Sequence, residues 1–361
     1  MSNTEALRRI ASQFQIDGEI AGITPFGNGH INDTYCVSLA PKGRSPRYVV
    51  QRINQNVFKN PAALMENIQR VTAHLAAKAA ASPGASQRVL QLIPARNGQA
   101  WLVDDGSHWR AYRLIEGAST YDSVQSTGQA FQAAVAFGRF QQQLADLPAP
   151  RLHEIIPDFH STPKRFLALQ QAIEADVANR AAPAKPEIEF ALARQSITGA
   201  LLDAGLPERV THNDTKFNNV LLDDITGAAV CVLDLDTVMP GLAAYDFGDM
   251  VRTTTSPAEE DERDLSKVSM QFPMFEALVR GYLQATAGFL TRAETQVLAF
   301  SGKLITFEIG IRFLADFLNG DTYFKVHREG QNLDRCRTQF KLVESIEQQE
   351  EQMNRLVESI S

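Results

Sequence analysis

Cysteine is scarce in this chain. Its three residues, Cys36, Cys231 and Cys336, stand far apart with no C-x-x-C pair, which argues against a disulfide framework or a structural zinc site as the basis of the fold. Long apolar runs are absent too. No stretch approaches membrane-spanning length and the N-terminus M-S-N-T-E-A-L-R-R-I has no apolar signal core, so the expectation is a cytoplasmic protein with no membrane partner. Nor is there a basic excess: a formal charge of −7 argues against a nucleic-acid partner, which would call for a basic face. What remains is an ordinary globular composition over 361 residues, enough for two domains or one large bilobal unit.

The chemistry is concentrated between Val210 and Arg252. Residues 220–222 and 229–233 are short apolar runs rich in β-formers, and D-D-I-T-G between them carries the turn chemistry of a hairpin. Closing that hairpin brings Asn219, before the first strand, close to Asp234, after the second. An amide oxygen and a carboxylate so placed suit Mg²⁺, which takes few protein oxygens and completes its shell with water and substrate phosphates. Asp214 lies just upstream and is left to orient an attacking hydroxyl. A base in H-x-D, an asparagine five residues later and a metal aspartate after a hairpin divide the labour as phosphoryl transfer does. The catalytic set is Asp214 with His212 and Lys216 on the same loop, and Asn219 and Asp234 are the metal ligands. Asp236 is a second metal contact or a substrate contact. Asp246, although it reads D-F-G, is expected to brace the loop, because Asp234 already fills the metal position.

The spacing His212-x-Asp214-x₄-Asn219, followed by V-L-D ending at Asp234, resembles the catalytic and metal loops of aminoglycoside phosphotransferase-like small-molecule kinases. The longer wording T-H-N-D-T-K-x-N-N-V, V-L-D-L-D-T-V-M-P-G-L and Y-D-F-G-D-M-V-R is similar to bacterial N-acetylhexosamine 1-kinases. The resemblance implies an α+β, bilobal protein-kinase-like fold: a small antiparallel-sheet N-lobe with one helix, residues 1–115, and a larger, mainly helical C-lobe, residues 116–361. It implies ATP and Mg²⁺ as cofactors and a small-molecule sugar acceptor phosphorylated at its anomeric hydroxyl. Adenine contacts are placed by the resemblance at Arg113 and Ile115, near the hinge.

Other residues take their expected roles from that frame. Strands are expected at 20–25, 35–39, 48–53, 89–94 and 101–104, with 109–117 as the last strand and hinge. The loop 26–34 carries Gly27 and Gly29, which let backbone approach nucleotide phosphates, while His30 faces either ATP or the sugar. V-V-Q-R aligns with the V-A-I-K of such folds, placing Arg52 as the phosphate cation and Glu66, on a helix over 61–78, as its partner. An exposed strand-end arginine and a solvated glutamate are the plainer readings.

Helical periodicity follows at 4–14, 129–147, 271–290 and 291–318, with a packing helix in the tail that leaves monomer or homodimer open. Arg312, Asp321 and Tyr323 are candidate sugar contacts, although Arg312 and Asp316, four apart, suit an intrahelical salt bridge. Two alternatives stand beside the sugar kinase: a kinase for another acceptor such as an aminoglycoside, choline or homoserine, and an inactive kinase-like binding protein. A cationic acceptor needs clustered carboxylates, and 259–262 is such a run, explained more cheaply by an exposed helix start or solvated loop.

Overall fold

The computed structural model describes residues 3–27, 31–41, 45–81 and 89–360. A helix, α1 (Asn3–Ser12), precedes three strands, β1 (Ile20–Pro25), β2 (Asp33–Leu39) and β3 (Arg47–Arg52). The helix α2 (Pro61–Ala80) follows, then β4 (Leu102–Asp104) and β5 (Ser107–Arg113). The five strands form one sheet in the order β1-β2-β3-β5-β4, antiparallel at every step. Beyond it come β6 (Ala118–Ser119), α3 (Thr127–Leu144), α4 (Thr162–Ala175), α5 (Lys185–Leu192) and α6 (Ala200–Asp203). The strand β7 (Arg209–Thr211), the hairpin of β8 (Val220–Asp223) and β9 (Ala229–Val232), and β10 (Met239–Gly241) carry the central stretch. Helices α7 (Ala243–Thr254), α8 (Phe272–Ala285), α9 (Arg292–Gln296), α10 (Leu298–Leu318) and α11 (Gln331–Ile360) complete the larger, mainly helical part.

Local chemistry sets the helix starts. The Asn60 side chain accepts from the Ala63 N–H at 3.1 Å and Pro61 occupies the first turn of α2, while Ser126 caps α3. The single helix expected over 291–318 is two, because the capping box of Thr291 and Glu294 starts α9 and the chain turns at Val297 before α10. The strand expected over 89–94 is also corrected. That segment meets β5 through one bridge, Leu92 to Tyr112, because β4 already occupies the β5 edge from Ser107 to Trp109.

Three cores result. One lies between α1 and the sheet, around Phe14, Val37, Val50 and Trp109. A second joins α2 to α3, α7 and α8, and it includes Leu235 and Val238 from just after Asp234. A third packs α4 and α5 against α10 and α11. Burying a leucine and a valine contributes about 1.5–3 kcal/mol each, so the turn after Asp234 is anchored against α2 rather than free to wander. Helices α7 and α10 approach closely: a Cβ on Gly248 would stand 2.5 Å from the Ser301 carbonyl oxygen. Among the described residues no helix is long and apolar enough to cross a membrane.

Candidate active site

The hairpin delivers the pair expected to bind metal. Val220 stands opposite Val232, and the Leu233 N–H donates to the Asn219 carbonyl at 2.8 Å, which fixes Asn219 and Asp234 at one open end. Asp234 adopts the left-handed conformation, φ 55°, which aspartate and asparagine tolerate better than most residues. It opens to the cleft, and among the described residues its carboxylate has no hydrogen-bond or ion-pair partner. The Asn219 amide nitrogen donates to the Asp214 carbonyl at 2.9 Å, leaving the amide oxygen to seek a cation. Asp214 is half-buried, with Lys216 Nζ 3.0 Å from its carboxylate.

A buried bracket holds this loop. Asp246 accepts from the backbone N–H of His212 (2.9 Å) and Asn213 (2.7 Å) and from the Gln141 amide (2.6 Å), so it braces the loop and is withheld from any metal. His212 is fully buried, edge-on to Phe137 and Phe140, with Nε2 2.8 Å from the Leu233 carbonyl. It ties the Asp214 loop to the Asp234 turn and touches no open space, which suits bracing rather than proton transfer. Thr215 is pinned through its N–H to Asp249, itself paired with buried Arg252.

The Asp214 and Asp234 carboxylates are driven apart electrostatically. Burial pushes Asp214 up, but Lys216, His212 and Arg252 outweigh it and hold the group below the usual carboxylate range. Asp234 is pushed up to about 6 by burial and by the charges of Asp236 and Asp214. One carboxylate therefore stays charged, while the other carries a negative charge that a cation would relieve. Among the described residues no three His, Cys, Asp or Glu side chains gather as a closed metal site. An ion here would draw on Asn219 and Asp234 and take its remaining oxygens from water and ligand, as Mg²⁺ does.

Several expected contacts are not formed. Arg52 does not meet Glu66. Arg52 pairs with its cross-strand partner Asp33, Nε at 2.7 Å, and both are about half exposed. Glu66 pairs with His153 at 2.8 Å on the outer side of α2, while its neighbour Asn67 is the buried one. The reason is the two-residue period of a strand: Val49 and Gln51 face the cleft, so Arg52 points away from it. Asn67 instead joins α2 to the larger part, donating to the Val238 (3.1 Å) and His153 (2.9 Å) carbonyls. Asp236, expected at metal or substrate, is held by Arg110 of β5 through both carboxylate oxygens and by the Asn32 amide at 2.6 Å. Gly27 takes a positive φ of 77°, whereas Gly29 and His30 lie outside the described residues. At the hinge the Arg113 N–H donates to Gln91 and the Leu114 N–H to Arg47, while the Ile115 N–H has no partner among the described residues. Ile115, Leu221 and Leu233 form an apolar floor beside it.

Around the expected acceptor contacts the salt bridge between Arg312 and Asp316 is absent. Asp316 accepts from the N–H groups of Thr322, Tyr323 and Phe324 and from Asn332, and Asp321 is taken by Arg180 and Asn332. Arg312 lies instead over the rings of Phe159 and Phe324, while Tyr323 is 64% exposed beside Phe324. One turn earlier, buried Glu308 binds His160 Nδ1 at 2.8 Å and Thr162 Oγ1 at 2.6 Å, and His160 Nε2 lies 3.1 Å from the Asn213 carbonyl. Helix α10 is thus linked to the residue before Asp214. Sequence reading missed Arg110, Asn67, His160 and Glu308. The one available signal was a charged or amide residue inside an otherwise apolar periodic run, as with Glu308 in α10.

A model of the phosphotransferase enzyme family matches residues 22–287. Among solved structures the chain is similar to an aminoglycoside phosphotransferase from Alicyclobacillus acidocaldarius, at 11% identity and TM-score 0.64 over 98% of this chain and 96% of that one. It is similar to a microcompartment-associated aminopropanol kinase at 15% identity and TM-score 0.59, covering 98% and 99% of the two chains. Choline kinase from Cryptosporidium parvum matches at 14% identity and TM-score 0.56, with 99% of each chain covered. At such identities the likeness shows the fold: a bilobal, protein-kinase-like α+β architecture.

Proposed function

The chain belongs to the phosphotransferase enzyme family and is an ATP-dependent phosphotransferase acting on a hydroxyl group, and from that premise we propose that the hydroxyl is the anomeric one of an N-acetylhexosamine. The product is then the sugar 1-phosphate with ADP. Residues 1–115 form the nucleotide lobe and 116–361 the catalytic and acceptor lobe. Asp214, kept charged by its neighbours, orients the sugar hydroxyl and accepts its proton as the bond to the γ-phosphorus forms and the bond to the β–γ bridging oxygen breaks. Lys216 stands beside it to offset charge on the transferred group. Asn219 and Asp234 would hold Mg²⁺, whose charge would offset that of the phosphate oxygens. Gly27 lies at the phosphates, and the Arg113 carbonyl and Ile115 N–H meet the adenine. Positioning and charge supply the acceleration, since little covalent help is required.

The observation that carries the acceptor reading is Arg312. It is a half-buried guanidinium over two aromatic rings, beside the Glu308–His160 link to the catalytic loop; its charge acts on Glu308, but among the described residues it forms no ion pair. Such a fork suits ring hydroxyls and an amide carbonyl and repels a cationic acceptor. Three of the four carboxylates of the 259–262 run, and Asp321, are engaged elsewhere. Glu260 pairs with Arg252 and Arg335, Asp261 with Arg328, Glu262 with Lys267, and Asp321 with Arg180. An ADP-release assay with N-acetylglucosamine, N-acetylgalactosamine, plain hexoses, choline and aminoglycosides tests this, with Asp214→Ala as the control. Turnover is expected with an N-acetylhexosamine, accompanied by loss of its reducing end. Activity confined to choline or an aminoglycoside would sink the assignment.

A further inference from the structure

A kinase-type site needs a small-lobe cation directed at the α- and β-phosphates, ordinarily from the third strand and held by a helix glutamate. Here neither Arg52 nor Glu66 is placed for that task. The cleft-facing side of the sheet is fixed by register: Thr34, Gln51 and Arg110 stand in one cross-strand row, and Cys36, Val49 and Tyr112 in the next. The strand position that would carry the cation holds neutral Gln51. We infer that the cation is supplied one strand over, by Arg110 of β5, and that Asp236 replaces the helix glutamate as the group that holds it. This rests on the nucleotide-binding half of the function proposed above.

Arg110 is only 1% exposed, yet it is not fully satisfied. Its Nε donates to Gln51 Oε1 at 2.9 Å and its two terminal nitrogens donate to the Asp236 oxygens, which engages three of the five N–H groups of a guanidinium. Two N–H vectors remain. The next anionic group beyond Asp236 is Asp234, whose charge already acts on Arg110. Phosphates gathered at the Asp234 turn would therefore arrive beside those spare donors. The other cation of this sheet face, Arg47, lies at the far end of β3 and pairs with Glu116. Asn32, at the end of the glycine loop, shares Asp236 with Arg110, so loop, cation and metal turn meet at one carboxylate. The usual cation–glutamate pair lies within the small lobe. This one joins β5 to the turn after Asp234, so the cation is in place only while the lobes are docked.

Nucleotide titration calorimetry on the full chain without acceptor tests the inference. In the double variant Arg110→Met/Asp236→Leu the pair is removed together, so no lone charge stays buried. ATP affinity is expected to fall roughly ten- to hundredfold, the range for charge-assisted hydrogen bonds, while adenosine affinity stays within about twofold. Adding Gln51→Lys, which puts a cation on the cleft face of β3, is expected to return most of the loss. If the double variant does not fold, Arg110→Lys serves, with an ATP-selective weakening of roughly three- to tenfold expected from the lost fork. Equal losses for ATP and adenosine, or an unchanged ATP affinity, would make the pair a strut and overturn the inference. Failure of the unmodified chain to bind ATP would instead overturn the kinase reading itself.

Discussion

Replacing Asp234 by asparagine separates stability from function at one atom. In the folded chain burial, Asp236 and Asp214 raise this carboxyl from 3.8 to about 6. A carboxyl with a raised folded pKa is ionised more readily in the unfolded chain. Its contribution is therefore harmless below about pH 4 and turns unfavourable as pH rises through 6. The shift of about two units corresponds to at most ~3 kcal/mol. Because Asp234 opens to cleft solvent, screening reduces this to about 1 kcal/mol. Asparagine keeps the shape and tolerates the left-handed backbone at φ 55°, so no new strain offsets the gain. Urea unfolding in chelator is expected to show the variant about 1 kcal/mol more stable at pH 8 and equal to the parent at pH 4. With Mg²⁺ and ATP at a hundred times their dissociation constant the order reverses, because ligand linkage gives the parent about 2.7 kcal/mol that the variant lacks. A variant less stable than the parent at pH 8 in chelator would refute the electrostatic account of the site.

Other perturbations test the surrounding frame. Mg²⁺ affinity of the nucleotide complex is expected to weaken as pH falls through about 6, with proton release on binding, because Asp234 must be ionised to ligate; a flat profile between pH 5 and 8 contradicts that role. Asn67→Ala removes three hydrogen bonds between α2 and the larger lobe and should lower unfolding stability by about 2 kcal/mol, measured by denaturant titration; a change under about 0.5 kcal/mol would discount the strut. Glu308→Ala leaves His160 and Thr162 without their buried partner and should cost about 3 kcal/mol. In the same variant kcat is expected to drop severalfold with the KM for ATP unchanged, since His160 positions the loop carrying Asp214. Unaltered kcat would confine the pair to structure.

The legible parts of this protein are the local ones. The β8–β9 hairpin is read from its turn and flanking runs, because both strands and the turn lie within a dozen or so residues, and Asn219 and Asp234 follow from its closure alone. Helices α2 and α3 show their buried faces in periodicity, and Asp246 is recognisable as a brace because Asp234 stands at the expected metal position. The edge of a sheet is a different problem. Residues 89–94 are as apolar and β-rich as a strand, but whether they pair depends on which neighbour reaches β5 first. The tight β4–β5 turn gives β4 that edge, and only Ala111 and Arg113 are left to hydrogen-bond with Ile93 and Gln91.

Parity explains the misplaced cation. Within V-V-Q-R every residue is one step from its neighbour in sequence but on the opposite face, so an alignment by spacing that errs by one residue exchanges the cleft for solvent. Gln51 and Arg52 are equally plausible ends of that strand until the register with β5 is known. That register is non-local: Arg110 is 59 residues from Gln51 and 126 from Asp236. An arginine inside an apolar strand does carry a local signal, because a guanidinium buried on the cleft-facing period must find a carboxylate or remain unpaired at high cost. W-R-A-Y-R offers two arginines on opposite parities with Arg113, at the hinge, exposed and Arg110 buried. The strand pattern thus states that one buried anion exists somewhere in the chain, and only the three-dimensional meeting of β5 with the turn after Asp234 identifies it as Asp236.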